Sequence, residues 1–171
     1  MDIPYLVRQA QPTGSSTLAW RTHGFYDCMH PLLLNVVPLL WLVFSGQLGG
    51  HGDEPSNLAM SVSVVADIDR ELPDARPTVP RSQARSLRNL AKSFRSCKAV
   101  DSIYFLLCTG EVVLADRISP PLYRMVMHLV SSCRLLFRPR GLSIEDLQSV
   151  ESGLKSFCRD YYELAYGGDL A

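Results

Sequence analysis

Apolar side chains recur at helical intervals along most of this chain, and alternating patterns typical of strands are almost missing. Residues 32–45 are apolar nearly all round, which predicts a helix buried against several neighbours. Further helical patterns cover 56–71, 81–98, 122–137 and 143–166, with an apolar segment at 100–108. The pattern predicts an all-α fold, a compact bundle of about five to six helices.

Turn-forming and capping residues divide these helices. Residues 1–22 have no clear period and are expected to be loosely ordered, ahead of one helical domain over 23–168. Within that domain we expect a glycine-rich loop at 46–55 and an extended proline-rich linker at 72–80.

Local signals also place several helix ends. The pair Ser143 and Asp146 resembles a capping box, and Gly167 should end the helix that follows. Gly110 is a plausible stop after the 100–108 segment, and residues 111–115 fit either a strand or a helical turn. Whether the 81–98 helix breaks near residue 99 or continues is left open by the pattern.

Positive charge is concentrated in one segment of a chain whose formal net charge is zero. Between Arg70 and Lys98 there are eight Lys or Arg residues and two acids. Five of the cations are spaced by four, three, four and three residues, so a helix would gather them within an arc of about 80°. We call these five the basic stripe: Arg81, Arg85, Arg88, Lys92 and Arg95. Apolar residues occupy the opposite face of the same helix: Leu87, Leu90, Phe94 and Cys97.

The basic stripe fits a surface that meets anions. Neighbouring like charges on a helix repel unless an anion lies near, and this helix has no acid between Arg81 and Cys97. A phosphate backbone or an acidic protein surface would supply the anion, whereas an ordinary solvated face usually mixes both signs. No aromatic residue is interleaved on the stripe, so base stacking is not indicated.

Composition and cysteine usage favour an intracellular protein, nuclear or cytoplasmic. The chain has 171 residues, of which 47% are hydrophobic, enough for one ordinary domain with a core. Its five scattered cysteines do not form a disulfide pattern, and we interpret them as reduced core residues. No secretory signal opens the chain. The apolar stretch 31–44 is shorter than a membrane span and contains Asn35 and Pro38, so a membrane association is disfavoured.

Candidate chemistry is sparse. Asp27 and His30 precede the first apolar helix and are close enough to share a divalent metal, or to cap the helix instead. Zinc is not expected, because no second ligand pair follows His23, Cys28 and His30. Motifs for nucleotide phosphates, serine hydrolases, zinc proteases and dinucleotides are missing, and no small-molecule substrate is evident.

The ordered motifs resemble one family in particular. The block Asp27-Cys28-Met29-His30 is followed by L-N-V-V-P-L-L-W at 34–41 and F-S-G at 44–46. Later segments agree in the same order: 75–80, 83–88, 98–101, 110–114, 133–137 and 157–162. Together these resemble transposases of CACTA (En/Spm-like) mobile elements, especially fungal ones, over about residues 13–168.

This resemblance implies a DDE-type enzyme in which acidic residues on an RNase H-like core bind two Mg²⁺ ions. In that family a D-x-x-H string lies at or just after the second acidic position, which Asp27 and His30 match. Asp27 would then be a possible Mg²⁺ ligand once the rest of the core is present. Most of the remaining chain would correspond to a helical insertion domain.

The chain also departs from the family pattern. Only about two dozen residues precede the D-x-M-H string, and no convincing strand follows to carry the last Glu. Asp101 and Glu111 lie inside matched blocks, but neither is assigned as catalytic. The expectation is therefore a catalytically incomplete domain that needs no cofactor by itself and binds DNA, with other transposase chains as possible partners. The alternative is a helical protein-interaction module for an acidic partner.

Overall fold

The computed structural model describes residues 29–47, 58–74, 98–139 and 141–167, with only the backbone of Met29 and His30. Every regular element within these ranges is helical, which confirms the all-α prediction. Five helices follow one another within the described ranges. Helix α1 joins a π-helical segment, Met29–Val36, to an α-helical one, Val37–Phe44, and α2 is Val62–Asp74. Helix α3 has three consecutive parts: α-helical Ala99–Tyr104, π-helical Phe105–Thr109 and α-helical Gly110–Leu114. Helix α4 is Pro120–Leu136, and α5 is Ile144–Tyr166.

The core forms around α1 and α4. Trp41 of α1 meets Phe105 of α3 edge to face, with ring centroids 5.5 Å apart, a favourable aromatic geometry. Met125 and Leu129 on α4 are completely buried, and Ile68 brings α2 into the same cluster. Each such side chain contributes roughly 1.5–3 kcal/mol through burial. The apolar periodicity seen in the sequence therefore corresponds to one contiguous core.

The first three residues of the predicted proline-rich linker, 72–74, belong to helix α2 instead. The helix runs through Asp74 and includes Pro73, so residues 72–74 are helical, while residues 75–80 lie outside the described ranges. Proline disfavours helix in the residue before it, yet Leu72 is only 3% exposed and packs in the core. Burial of Leu72 offsets the local preference.

Helix α3 corrects the predicted stop at Gly110. The chain passes through Gly110 in helical geometry, and its amide donates to the carbonyl of Phe105, five residues back. A Cβ at this position would lie 2.8 Å from that carbonyl oxygen, so glycine allows the wide turn to form. Residues 110–114 are helical, so the helical turn and not the strand is the correct alternative for this segment.

The backbone at Lys98 shows whether a helix continues through residue 99, which the sequence pattern left open. Lys98 is extended, with φ −86° and ψ 161°, and is the N-cap of α3. Helix α3 therefore begins as a separate helix at Ala99 and does not continue from the residues before Lys98.

Helices α4 and α5 form an antiparallel hairpin. Arg138 pairs with Asp146 near the connection, Gly153 meets Ser132 midway, and Asp160 faces His128 further along. The predicted cap is confirmed, because Ser143 Oγ accepts from the Asp146 amide at 3.1 Å and the Ser143 amide donates to the Asp146 carboxylate at 2.8 Å. Gly167 ends α5 in a left-handed conformation, φ 74°, as its position predicts.

The described cysteines are free thiols, but only one is a core residue. Cys133 is buried, whereas Cys108 and Cys158 are exposed, so the core interpretation is wrong for these two. Cys28 and Cys97 lie outside the described residues. Among the helices that the structure describes, none combines the length and apolar character needed to cross a membrane.

The crossing of α4 and α5 yields a test of close packing. A Cβ on Gly153 would lie 2.3 Å from Ser132 Oγ, a buried hydroxyl that donates to the His128 carbonyl at 2.8 Å. We expect Gly153→Ala to lower the free energy of unfolding despite the better helix propensity of alanine. The double variant with Ser132→Ala should recover about 1 kcal/mol or more in denaturant unfolding. Equal effects of Gly153→Ala in both backgrounds would contradict a clash with this hydroxyl.

The cap of α5 yields a pH test. The hydrogen bond from the Ser143 amide, with the Ser143 hydroxyl and Arg138 nearby, holds the pKa of Asp146 below its usual value. Because the folded-state pKa is the lower one, the stabilisation is complete above the unfolded-state value, about 3.9, and disappears as pH falls further. Asp146→Ala should therefore lower Tm at pH 7, with the difference from wild type shrinking below about pH 4. A Tm difference that stays constant from pH 7 to pH 2.5 would argue against this cap.

Candidate functional site

The sequence-predicted site residues fall largely outside the described ranges. This holds for Asp27 and for the whole basic stripe, Arg81, Arg85, Arg88, Lys92 and Arg95. His30 lies in the π-helical segment of α1, where its backbone alone is described. The assignments of these residues to metal or DNA binding therefore stay predictions.

The π-helical start of α1, which carries His30, packs against the first turns of α3. Two polar residues are buried there, Asp101 and Ser102. The Asp101 carboxylate accepts a hydrogen bond from the Lys98 amide at 3.0 Å and so completes the N-terminal cap of α3. Asp101 thus has a structural role that follows from its position three residues after the N-cap.

Glu111, another acid within the matched blocks, also has a structural role. Its carboxylate pairs with Arg134 of α4, which in addition donates to the Leu107 carbonyl at 3.3 Å. The hydroxyl of Tyr123 donates to the Glu111 carbonyl at 3.3 Å. These contacts connect the last turns of α3 to α4 and occupy the carboxylate at a helix junction.

A charged cluster that the sequence did not indicate lies between α4 and α5. At its centre is Asp160, whose side chain is 7% exposed. Its Oδ1 accepts a hydrogen bond from the Arg159 guanidinium at 3.0 Å. Its Oδ2 lies 3.6 Å from His128 Nε2 and 3.8 Å from Arg124 Nε. Oδ2 itself is buried and accepts no hydrogen bond in the structure. The spacing of Arg124 and His128, four residues apart on α4, is the one signal that could have placed them on the same face.

The cations of this surface are balanced by acids. Arg124 and Arg159 expose 68% and 61% of their side chains, with Asp160 beneath both. Arg159 also approaches Glu163 at 3.8 Å, and Lys155 pairs with Glu151 at 2.7 Å. Such exposed pairs contribute little to stability and leave no large positive field. The hairpin surface is therefore a mixed polar face, unlike the basic stripe.

A shallow groove of about 580 Å³ runs between α4 and α5. Most of its lining is hydroxyl or amide bearing: Ser131, Ser132, Gln148, Ser149, Ser152 and Ser156, with His128 and Glu145 at the margins. An activated serine needs its hydroxyl on a base, but Ser132 donates to the main-chain carbonyl of His128 and not to its imidazole, which faces Asp160 instead. The pair is therefore not arranged for nucleophilic catalysis.

Side chains that could ligate a metal are spread across the described part of the chain. Within those ranges, no three or more His, Cys, Asp or Glu side chains come together in a way that could hold a metal ion. The possible Mg²⁺ ligand Asp27 is outside them.

Comparison of the chain with protein-family models, with curated proteins and with solved structures gave no match in any of the three.

Proposed function

We propose that this chain is a transposase-derived helical domain, catalytically incomplete by itself, that binds the DNA backbone through its basic stripe. The observation that carries the proposal is the spacing of Arg81, Arg85, Arg88, Lys92 and Arg95 without an intervening acid. Backbone binding needs cations that are free to meet phosphates, and it releases counterions in proportion to the phosphates neutralised.

The charge pattern of the described helices differs from that of the basic stripe, and this difference supports DNA binding by the stripe. Along the α4–α5 hairpin, Arg124, Lys155 and Arg159 all have acidic partners. The segment from Arg81 to Cys97 contains no acid of its own to serve that purpose. An external polyanion would remove the repulsion along the stripe, which a solvated surface would leave in place.

The roles of the matched acids support catalytic incompleteness. Strand transfer by two metal ions requires several carboxylates around the same ions. Asp101 caps α3, and Glu111 pairs with Arg134 at the junction of α3 and α4. Asp160, within the 157–162 block, pairs with Arg159. Of the acids in the matched blocks, Asp27 is then left for such a role, and one carboxylate does not hold two Mg²⁺ ions.

DNA binding is tested by its salt dependence. We expect the chain to bind random duplex DNA at low salt, with a steep loss of affinity as salt rises. Replacing Arg85, Arg88 and Lys92 by Gln should weaken binding and reduce the slope of log K against log salt by about 2–3, since each phosphate contact contributes about 0.9. Fluorescence anisotropy at several salt concentrations measures both quantities.

A matched control removes three other exposed cations, Arg70, Arg124 and Lys155, for the same change in net charge. This variant should keep the wild-type slope. If the wild type does not bind duplex DNA at low salt, the proposal fails, and binding to an acidic protein surface becomes the better interpretation of the stripe. Equal effects of the two triple variants would attribute binding to net charge alone.

Catalytic incompleteness is tested with Mg²⁺ and element-end DNA. The purified chain should give no Mg²⁺-dependent strand cleavage in a gel assay, because its matched acids Asp101 and Glu111 serve the fold. Cleavage that is present in the wild type and lost in Asp27→Ala would overturn this part of the proposal. DNA binding in the same samples shows whether the protein is folded and active as a binder.

A further inference from the structure

Helix α3 presents a line of apolar side chains to solvent. Val100 and Val112 are 57% and 75% exposed, and Cys108, which lies between them, is exposed as well. The opposite side of the same helix faces the core, where Leu106 and Leu114 are buried. Single exposed apolar residues are ordinary, but several on one side of one helix are typical of a contact surface. We call Val100, Cys108 and Val112 the α3 stripe.

Opposite charges flank the two ends of the α3 stripe. Lys98 precedes the helix and Asp116 follows it, and both are exposed. In the described part of the chain neither has an ion-pair partner, and the adjacent Arg117 pairs with Glu71 instead. The α3 stripe therefore has an unpaired cation at its N-terminal end and an unpaired anion at its C-terminal end, and none of its three residues is charged.

A helix face of this kind is complementary to an antiparallel copy of itself. When two α3 helices cross antiparallel at Leu106, Val100 of each copy lies opposite the partner's Val112, because both valines are six residues from Leu106. Lys98 then lies within one helical turn of the partner's Asp116, and the twofold axis repeats this pair at the other end. The formal net charge of zero means that two copies do not repel each other as a whole.

We propose that the α3 stripe is the interface of a homodimer in which two copies of this chain pair their α3 helices antiparallel. The 16 residues of α3 give a contact about 24 Å long. One helix from each copy is at the small end of the range for specific interfaces, so the dimer is reversible and forms as the concentration rises. Dimer formation and DNA binding by the basic stripe are separate properties, and each can fail without the other.

Sedimentation velocity of the full chain tests this dimer, with a reductant present to prevent disulfides through the exposed cysteines. We expect the average mass to rise from monomer toward dimer between low and high micromolar concentrations. Val112→Lys places a charge in the apolar contact and should weaken the dimer by about tenfold or more. Val62→Lys changes an 87% exposed valine on α2 and is the matched control, which should keep the dimer affinity within about twofold.

Exchange of the end charges tests the antiparallel arrangement. Lys98→Glu and Asp116→Lys each turn both end pairs into like-charge pairs and should weaken the dimer by about fivefold or more. An equal mixture of the two variants should recover the affinity to within about threefold of wild type, because both ends of the mixed dimer join opposite charges. Asp116 has a left-handed φ of 60°, which asparagine also adopts. Asp116→Asn is therefore the second variant if Asp116→Lys does not fold, and it should weaken the dimer in the same direction.

A chain that stays monomeric over this concentration range would overturn the proposal. So would a dimer that Val112→Lys leaves unchanged, or one that Val62→Lys weakens equally, because the contact would then lie elsewhere or depend on net charge. A mixture of the two charge variants that remains as weak as each variant alone would contradict the antiparallel arrangement. Thermal melting by far-UV circular dichroism shows whether each variant is folded.

Discussion

The described structure depends on burial of the apolar face of α4. Met125, Leu129 and Cys133 on that face are completely buried, and the other helices supply the side chains that cover the same cluster: Trp41 from α1, Ile68 from α2, Phe105 and Leu114 from α3, and Tyr161 from α5. Interiors of this density tolerate little change in volume. All five described helices therefore share one core, to which α4 contributes the most buried residues.

The chain carries two patterns of charge, one seen in the described helices and one in the sequence alone. Where helices pack, cations are paired across elements, as in Arg134 with Glu111 and Arg117 with Glu71, the latter at 2.6 Å. These pairs connect elements without creating a strong field. The basic stripe is different in kind, because its own segment supplies no acids. That difference is the physical reason for proposing that the stripe binds a polyanion, whereas the arginines of the described helices pair with acids of the fold.

The hairpin of α4 and α5 combines strong local helix signals with a helix contact of mixed apolar and polar character. The caps at Ser143 and Gly167 define α5 as a helix almost independently of its surroundings, whereas its contact with α4 includes hydroxyl groups, a glycine and a buried carboxylate. Helix formation and helix docking are therefore separable here.

The sequence by itself determined the all-α class, the approximate extents of α1, α4 and α5, and the capping box, because apolar periodicity and caps involve residues within a few positions of one another. Tertiary structure decided the rest. The helix continues through Pro73 because Leu72 is buried, and α3 passes through Gly110 because a π-helical turn needs the space. Only packing brings Asp160 beside His128 and Arg124 and leaves Cys108 and Cys158 exposed. Apart from the turn at Gly110, these features depend on contacts between residues far apart in the chain, which no local pattern encodes.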